Sequence, residues 1–327
     1  MKALVYTGPE ALEIREVPDP VLAAGDVLID IDAVGICGSD MHAFLGHDER
    51  RPAPLILGHE AAGTVIEGPV EWLGKRVTVN PLVTCGVCEA CLSGRDNLCA
   101  ERQIISMQPR EGAFAQKLTM PVTNLVEVPD HVTFNQACLA EPIACGWHAL
   151  RLSALLLGRL ANAHVLVIGG GAIGMGAALS ARAQGYGKVT IVETNSLRHA
   201  ALEGQGFDVV QAVSDGEMFE CILDAVGFEG TRALASAVAK PGGVIAHIGL
   251  GGGGAGLDVR RMTLQEISFL GTYTYTKRDF RETAKAIFDG SLGELNWTEE
   301  RPLAEGPQAF SDMRANKLAA PKIVLTP

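Results

Sequence analysis

The chain has 327 residues, of which 47% are hydrophobic and 20% are charged, and its formal net charge is −11. This length and composition are typical of a soluble globular protein with two domains and exclude a disordered chain. Because the net charge is negative and Lys and Arg form no cluster, the composition argues against nucleic acid as a partner.

The N-terminal segment and one uncharged run bear on cellular location. The first 20 residues lack a basic region followed by an apolar one, so no signal peptide is predicted. The run 160–181 has no charged residue, but five of its residues are glycine and it contains Asn162 and His164, which argues against a membrane span. The sequence therefore predicts a cytoplasmic protein that does not contact a membrane.

Two short motifs in the first 63 residues contain candidate metal ligands. GICGSDMH at 35–42 contains Cys37, and GHEAAG at 58–63 contains His59 and Glu60. Thiolate, imidazole and carboxylate are all ligands of zinc. Each residue alone also has a structural interpretation, such as a buried thiol or a hydrogen-bonded loop histidine, so only the combination indicates a metal site.

Four of the eight cysteines lie in one loop with the spacing C-x₂-C-x₂-C-x₇-C. In a reducing compartment this spacing favours metal binding over disulfides, and four thiolates match a tetrahedral structural Zn²⁺ site without an open position. An iron–sulfur cluster is the alternative, disfavoured because no proline follows the last cysteine. The polar composition of the loop argues against four buried thiols. The predicted ligands are Cys85, Cys88, Cys91 and Cys99.

A third motif, LAEPIACGWHA at 139–149, adds Glu141 as a candidate ligand. Three protein ligands and one open position define a catalytic zinc site rather than a structural one. A thiolate and one carboxylate neutralise Zn²⁺, whereas two bound carboxylates would leave the site negative. We expect either Glu60 or Glu141 to bind zinc and the other to hold the zinc-bound water, and the sequence leaves open which is which.

The second half of the chain begins with a dinucleotide-binding pattern. An apolar strand from residue 164 leads into GGGAIG at 169–174, a helix is predicted to residue 184, and the strand KVTIV ends before Glu193. The glycines permit close approach of the backbone to a pyrophosphate at the helix N-terminus. Glu193 favours NAD over NADP because a carboxylate repels a 2′-phosphate, whereas Arg198 argues for NADP. The predicted cofactor-binding residues are Gly169, Gly171, Ala172, Ile173, Gly174, Glu193 and Arg198.

Further strands are predicted at 221–227 and 244–254, with a helix and the turn KPGG at 240–243 between them. For the last three glycines of GLGGGG, residues 252–254, a flexible loop is an equal alternative. Strands that alternate with helices at this spacing predict a doubly wound parallel sheet of Rossmann type. The fold class is therefore α/β, and the carboxyl ends of the strands are expected to face the cofactor.

Taken together, GICGSDMH, GHEAAG, the four-cysteine loop and EPIACGWHA resemble, in order and separation, the motifs of the zinc-dependent medium-chain dehydrogenases. The Glu-Pro pair is similar to that of their sorbitol and other polyol dehydrogenases. The resemblance implies a GroES-like, strand-rich catalytic domain at 1–148, a Rossmann domain at 149–272 and a segment at 273–327 that returns to the first domain. It also implies a homo-oligomer, a dimer or tetramer, with substrate bound between the domains.

The resemblance further implies individual roles. Cys37, His59 and either Glu60 or Glu141 would hold the catalytic zinc. Asp40 would orient His59, Ser39 would accept the proton of the substrate hydroxyl, and His42 would pass it to solvent. The residues implied next to the nicotinamide are Val226, Gly227, Ile248, Gly249 and Leu250.

The predicted activity is the oxidation of a secondary hydroxyl of a polyol or related sugar derivative, with hydride transfer to NAD. The alternatives are a threonine-type amino-alcohol dehydrogenase, a sugar-acid dehydrogenase, and a binding protein for NAD and zinc without turnover. The last would require damaged catalytic positions, and all of them are intact. Two features depart from the family: several residues are missing before the four-cysteine loop, and Thr274 stands where polyol dehydrogenases usually have arginine.

Overall fold

The structure, a computed structural model, describes residues 1–158 and 162–327. Short, mostly antiparallel strands make up the first part. The strands are β1 (Lys2–Gly8), β2 (Ala11–Glu16), β3 (Asp26–Gly35), β4 (Leu55–Ile56), β5 (Glu60–Glu67), β6 (Arg76–Val79), β7 (Leu82–Val83), β8 (Gln103–Ile104), β9 (Lys117–Pro121) and β10 (Leu125–Glu127). The helices are α1 (Gly38–Phe44), α2 (Glu89–Leu92), α3 (Phe134–Ala137) and α4 (Ala140–Leu157).

The second part alternates strands with helices. The strands are β11 (Val165–Ile168), β12 (Val189–Val192), β13 (Asp208–Val210), β14 (Phe219–Asp224), β15 (Ala239–His247) and β16 (Ser268–Gly271). The helices are α5 (Ala172–Ala183), α6 (His199–Glu203), α7 (Glu229–Val238), α8 (Val259–Leu264) and α9 (Lys277–Phe288). The chain then continues through β17 (Thr298–Pro302), α10 (Gly306–Arg314) and β18 (Lys322–Thr326).

The main antiparallel sheet has the strand order β10-β6-β5-β3-β18-β17, and β9 also pairs with β3. Strand β3 shows why this part forms strands: Ile29 and Ile31 are buried while Asp30 and Asp32 are exposed, so one face of the strand is apolar. The last strand, β18, pairs antiparallel with β3 through Val324 and Gly35. The end of the chain is therefore built into the sheet formed by its beginning.

The second sheet is parallel, with the order β13-β12-β11-β14-β15-β16. All four residues of β11 and of β12 are buried, as expected for strands covered by helices on both faces. The strand order reverses between β11 and β14, which is where open α/β sheets bind ligands. The predicted Rossmann-type fold class is confirmed.

Two predicted strands were too long at their carboxyl ends. The strand predicted at 221–227 ends at Asp224, and the one predicted at 244–254 ends at His247. Both strands end because Asp224 turns the backbone that follows them. Its side chain accepts hydrogen bonds from the N–H groups of Val226 and Gly227, which follow β14. Its carbonyl oxygen accepts hydrogen bonds from the N–H groups of Ile248 and Gly249, which follow β15. The predicted KPGG turn is an irregularity inside β15, where Gly242 has φ +71°.

Helix α4 connects the two parts and packs on α9. Asp279 in α9 is fully buried and accepts two hydrogen bonds from Arg151 of α4, at 2.5 and 2.9 Å, and its Oδ2 lies 2.6 Å from Nδ1 of His148. Burial opposes ionisation of Asp279, but the hydrogen bonds from His148, Arg151 and Thr276 outweigh it and hold its pKa below the usual range. This ionic contact fixes the two helices relative to each other.

Within the part of the chain that the structure describes, no helix has the length and apolar character needed to cross a membrane. Residues 160 and 161, at the start of the uncharged run 160–181, lie outside the described residues.

Candidate active site

The three candidate zinc ligands Cys37, His59 and Glu60 lie where β3 ends and β5 begins. Cys37 precedes α1, and Glu60 at the start of β5 pairs with Gly35 at the end of β3. The donor atoms of Cys37, His59 and Glu60 all lie within 4.8 Å of one another. His59 and Glu60 are buried and Cys37 is half-buried. A thiol, an imidazole and a carboxyl group this close together fit a zinc ion with a further position to spare.

Asp40 holds the two sides of this group together. Its Oδ2 accepts a hydrogen bond from the Cys37 N–H at 3.0 Å, and its Oδ1 accepts one from the Gly58 N–H at 3.2 Å. The His59 Nδ1 lies 3.4 Å from Asp40 Oδ1 and 3.4 Å from the Ser106 hydroxyl oxygen. With Nδ1 engaged, Nε2 is the ring nitrogen available to a metal, which is the arrangement that carboxylate partners give to ligating histidines.

Lys322 also belongs to this group, although no pattern in the sequence indicated it. Its Nζ donates to both carboxylate oxygens of Glu60, at 2.6 and 2.7 Å, and to the carbonyl oxygen of Ile36 at 2.8 Å. Burial disfavours the ammonium, but the negative charges of Glu60 and Cys37 raise the pKa of Lys322, so it stays charged. The sequence-based charge count lacked this ammonium. With it, Zn²⁺ and Lys322 balance the Cys37 thiolate and two carboxylates, so a second carboxylate near the metal no longer leaves the site negative.

The second carboxylate is Glu141, in the first turn of α4. Its Oε1 accepts a hydrogen bond from the Tyr275 hydroxyl at 2.7 Å, and both side chains are buried. Burial raises the pKa of Glu141 to about 6. Glu141 lies outside the compact group formed by Cys37, His59 and Glu60.

The two predicted proton-transfer residues lie on one short helix. Ser39 and His42 are both in α1, where Ser39 is half-buried and His42 is exposed. The buried Arg51, which sequence analysis also missed, donates to the Ser39 carbonyl oxygen at 3.0 Å and to its hydroxyl oxygen at 3.4 Å. Along α1, Ser39 therefore lies on the protein side and His42 on the solvent side.

The four-cysteine loop also fits a metal. The Cys85 and Cys91 sulfurs are 3.9 Å apart and the Cys85 and Cys99 sulfurs 3.6 Å, while a tetrahedral zinc with Zn–S bonds of about 2.3 Å separates its sulfurs by about 3.8 Å. No disulfide joins these four cysteines. Backbone N–H groups of Val87 and Cys88 lower the pKa of Cys85 to about 6, which favours a thiolate. The donor set is the all-thiolate one that structural zinc takes.

The glycine motif forms a tight turn between β11 and α5. Gly169 has φ +95°, and a Cβ atom on Gly174 would lie 1.7 Å from the Gly169 carbonyl oxygen, so both positions require glycine. Gly171 is the N-cap of α5, which begins with Ala172 and Ile173. The first N–H groups of a helix have no partner within the helix, and they suit a phosphate group.

Glu193 and Arg198 lie together beside this turn. The buried Glu193 carboxylate accepts hydrogen bonds from the N–H groups of Gly170 at 2.8 Å and Asn195 at 2.7 Å. Arg198 Nη1 lies 3.3 Å from Glu193 Oε2, and the buried Arg198 Nε has no hydrogen-bond partner among the described residues. Glu193, which was expected to favour NAD, and Arg198, which was expected to favour NADP, are therefore paired with each other.

The segments predicted to flank the nicotinamide also meet here. A Cβ atom on Gly249 would lie 2.3 Å from the carbonyl carbon of Val226, and one on Gly227 would lie 2.1 Å from the Gly249 carbonyl oxygen. Val226 also contacts the glycine turn, because a Cβ atom on Gly169 would lie 2.4 Å from its Cγ2. Ile248 and Leu250 flank Gly249, and Leu250 is exposed. The carboxyl ends of β11, β14 and β15 thus form one surface.

Comparison with known proteins matches both parts of the chain. Residues 23–130 match the family described as alcohol dehydrogenase GroES-like domain, and residues 172–289 match the one described as zinc-binding dehydrogenase. A sorbitol dehydrogenase of Bacillus subtilis is 33% identical over 76% of this chain and 75% of its own. The L-galactonate-5-dehydrogenase of Escherichia coli is 29% identical over 100% and 99%. Among solved structures, acetophenone reductase from Geotrichum candidum in complex with NAD has a TM-score of 0.89 at 26% identity, over 100% of this chain and 97% of that one.

Two separate ligand groups predict about two zinc ions per chain in protein purified without chelator. Cys91→Ser removes one ligand of the loop and should lower both the zinc content, to about one per chain, and the thermal midpoint, because structural zinc contributes folding free energy. Elemental analysis and thermal unfolding measure both. The exposed loop residue Ser93 provides the control, since Ser93→Ala should change neither. Iron in place of the loop zinc would overturn the assignment.

Proposed function

Because the chain belongs to the zinc-dependent medium-chain dehydrogenases, we propose that it oxidises a secondary hydroxyl of a polyol or sugar acid to a carbonyl, with NAD as the hydride acceptor. The family consists of enzymes that bind zinc. The observation that carries the proposal is the group of Cys37, His59 and Glu60 with a second buried carboxylate, Glu141, beside it. A binding protein without turnover would not need that second carboxylate.

Cys37, His59 and Glu60 are the proposed ligands of the catalytic zinc, because their donor atoms form the compact group. When bound, zinc supplies a Lewis acid that makes the substrate hydroxyl more acidic near neutral pH. Lys322 holds the Glu60 side chain in place by donating to both of its carboxylate oxygens. Glu141, oriented by Tyr275, is the proposed acceptor for a hydrogen bond from a neighbouring hydroxyl of the substrate.

Ser39 and His42 are proposed to move the proton out of the site. Ser39 Oγ accepts the hydroxyl proton of the substrate, and His42, exposed on the same helix, releases it to solvent. Because a guanidinium only donates hydrogen bonds, Arg51 leaves the Ser39 O–H free to donate onward. Arg51 is thus a positioning residue for this transfer.

The glycine turn and the N-terminus of α5 are proposed to bind the pyrophosphate of the dinucleotide, and Glu193 the ribose hydroxyls. The Glu193 carboxylate supports NAD over NADP, and its pairing with Arg198 supports the same choice, because the guanidinium is already engaged by a carboxylate. The solved acetophenone reductase carries NAD. Bound NAD supplies the acceptor for the hydride.

A sugar acid has a specific observation in its favour. The Arg102 guanidinium stacks on the ring of Tyr273, 4.9 Å from its centroid, and Tyr273 is two residues before Tyr275 in the chain. Arg102 donates hydrogen bonds to the Tyr273 hydroxyl and to the Cys99 carbonyl oxygen. Neither acceptor is negatively charged. This cation is available to a carboxylate on the substrate. Among the relatives, the sorbitol dehydrogenase acts on a polyol by its name and the L-galactonate-5-dehydrogenase on a sugar acid.

The edge of the parallel sheet supports a homo-oligomer. Strand β16 is the last strand of that sheet, and exposed apolar side chains surround it: Phe269 in the strand, with Val259 and Leu264 in α8. An apolar edge strand pairs readily with a copy of itself. Light scattering on the purified chain should give at least twice the mass of 34.5 kDa, and Phe269→Lys should lower it; a monomer contradicts this proposal.

The substrate class is tested by NAD reduction with sorbitol, xylitol, galactitol, a hexonate, threonine and ethanol at equal concentration. Because the site offers several hydrogen-bonding groups, ligands that leave them unpaired are penalised, so a polyol or the hexonate should lead. If the hexonate leads, Arg102→Gln should lower its kcat/KM by about tenfold and leave sorbitol unchanged within about twofold. A lead of tenfold or more for ethanol or threonine, about 1.4 kcal/mol in the barrier, contradicts the proposed class.

Cofactor choice is tested by Glu193→Ala. Without the carboxylate, repulsion of a 2′-phosphate is lost and Arg198 is released to bind it, so the NAD/NADP ratio of kcat/KM should fall by about tenfold or more. The exposed Glu203 in α6 provides the control, since Glu203→Ala should leave the ratio unchanged. If Glu193→Ala also leaves it unchanged, Glu193 does not read the ribose.

A further inference from the structure

The segment Tyr273–Thr276 links β16 to α9 and carries the tyrosine that contacts Glu141. Tyr275 is 1% exposed, and its hydroxyl donates to Glu141 Oε1. Between the two tyrosines, Thr274 has φ +45°, and its hydroxyl oxygen is buried without a hydrogen-bond partner among the described residues. A β-branched residue in this left-handed region is strained and persists only where flanking contacts hold it.

Those flanking contacts come from the four-cysteine loop. Asn97 Nδ2 donates to the carbonyl oxygen of Tyr273 at 2.8 Å, directly before Thr274. Asp96 accepts the N–H of Lys277, the first residue of α9, at 3.0 and 3.3 Å. Both loop side chains are buried, with 4% exposure for Asn97 and 8% for Asp96. The loop is therefore hydrogen-bonded to the strained segment at its beginning, at Tyr273, and directly after its end, at Lys277.

We propose that Asn97 is a positioning residue for the reaction: by holding the Tyr273 carbonyl it fixes Tyr275 where its hydroxyl meets Glu141. The inference deepens the proposed function, because it rests on the assignment of Glu141 to the substrate site. If the hydrogen bond from Asn97 to the Tyr273 carbonyl oxygen is lost, Thr274 relaxes towards an ordinary backbone conformation, and the Tyr275 ring moves with it. A displacement of about 1 Å at such a contact is enough to cost a large factor in rate.

Asn97 lies within the loop that carries the four cysteines. Asp96 and Asn97 lie between Cys91 and Cys99, in the short 3₁₀ turn 96–98. Metal held by the four cysteines would fix this turn, so the loop would position Tyr275 through Asn97 and Asp96 in addition to stabilising the fold. A loop that served stability alone would affect folding without changing the contact between Tyr275 and Glu141.

The first test is Asn97→Asp, which keeps the shape of the side chain but replaces the donor with an oxygen that faces the Tyr273 carbonyl. Turnover of the best substrate should fall by about tenfold in kcat, about 1.4 kcal/mol, with about two zinc ions per chain and an unchanged Kd for NADH. Asn296→Asp makes the same chemical change at an exposed site and should leave kcat unchanged. An unchanged kcat in Asn97→Asp overturns the proposal.

The second test separates positioning from general destabilisation by a double-mutant cycle. In a Tyr275→Phe background the hydroxyl is absent, so Asn97→Asp should lower kcat by less than about twofold further. Equal fold losses in both backgrounds would show that Asn97 does not act through Tyr275, and the proposal fails.

A third measurement needs no turnover. Hydrogen exchange of a peptide that covers 270–280 should be faster in Asn97→Asp than in the unmodified chain, and unchanged in Asn296→Asp, because the segment is released. If Asn97→Asp does not fold, Asn97→Ser replaces it in all three tests. Unchanged exchange overturns the positioning inference. If the unmodified chain reduces NAD with none of the tested substrates while Asn97→Asp still shows the faster exchange, only the proposed function is refuted.

Discussion

The ion pair between Lys322 and Glu60 is the interaction on which the candidate metal site depends. Its ammonium lies 2.6 Å from a fully buried carboxylate, in a group that also contains a thiol and, nearby, Glu141. Without the ammonium, one buried carboxylate would be uncompensated, which typically costs about 3–5 kcal/mol. Lys322 begins β18, and β18 pairs with β3, whose end leads to Cys37. Formation of the site therefore requires the two ends of the chain to come together in one sheet.

The rest of the site depends on contacts between distant parts of the chain. Glu141 begins α4, whose later turns hold Asp279 of α9 through Arg151. Tyr275, just before α9, returns to Glu141, and the four-cysteine loop holds the same segment through Asn97. The proposed metal ligands, the proposed substrate-side carboxylate Glu141 and the parallel sheet are thus linked by a few buried polar contacts. Buried polar networks of this kind fix geometry, and the hydrogen bond from Asn97 extends this network into the four-cysteine loop.

The features that the sequence predicted well are those whose residues are close together in the chain. The four-cysteine spacing and the GGGAIG turn carry their own geometry, and the alternation in β3 or the apolar runs of β11 and β12 reveal the sheets directly. Lys322 could not be found in this way, because it contacts Glu60 across 262 residues and stands as one lysine before an apolar strand. Arg51 and Asn97 are similar, since neither belongs to a local pattern that indicates its distant partner. The overlong strands at 221–227 and 244–254 arose because apolar residues continue past Asp224 and His247, where hydrogen bonds to Asp224 turn the chain.

The proposed function requires two chemically different zinc sites, one closed by four thiolates and one open with a single thiolate. X-ray absorption at the zinc edge of the purified protein tests it most directly, because sulfur at about 2.3 Å is distinguished from nitrogen and oxygen at about 2.0–2.1 Å. Four sulfurs at one ion and one at the other predict an average of about 2.5 sulfur neighbours per zinc. An average near four would place all the zinc in the loop, and an average near two would remove Cys37 from the open site; either result would show that the chain does not hold the two proposed sites.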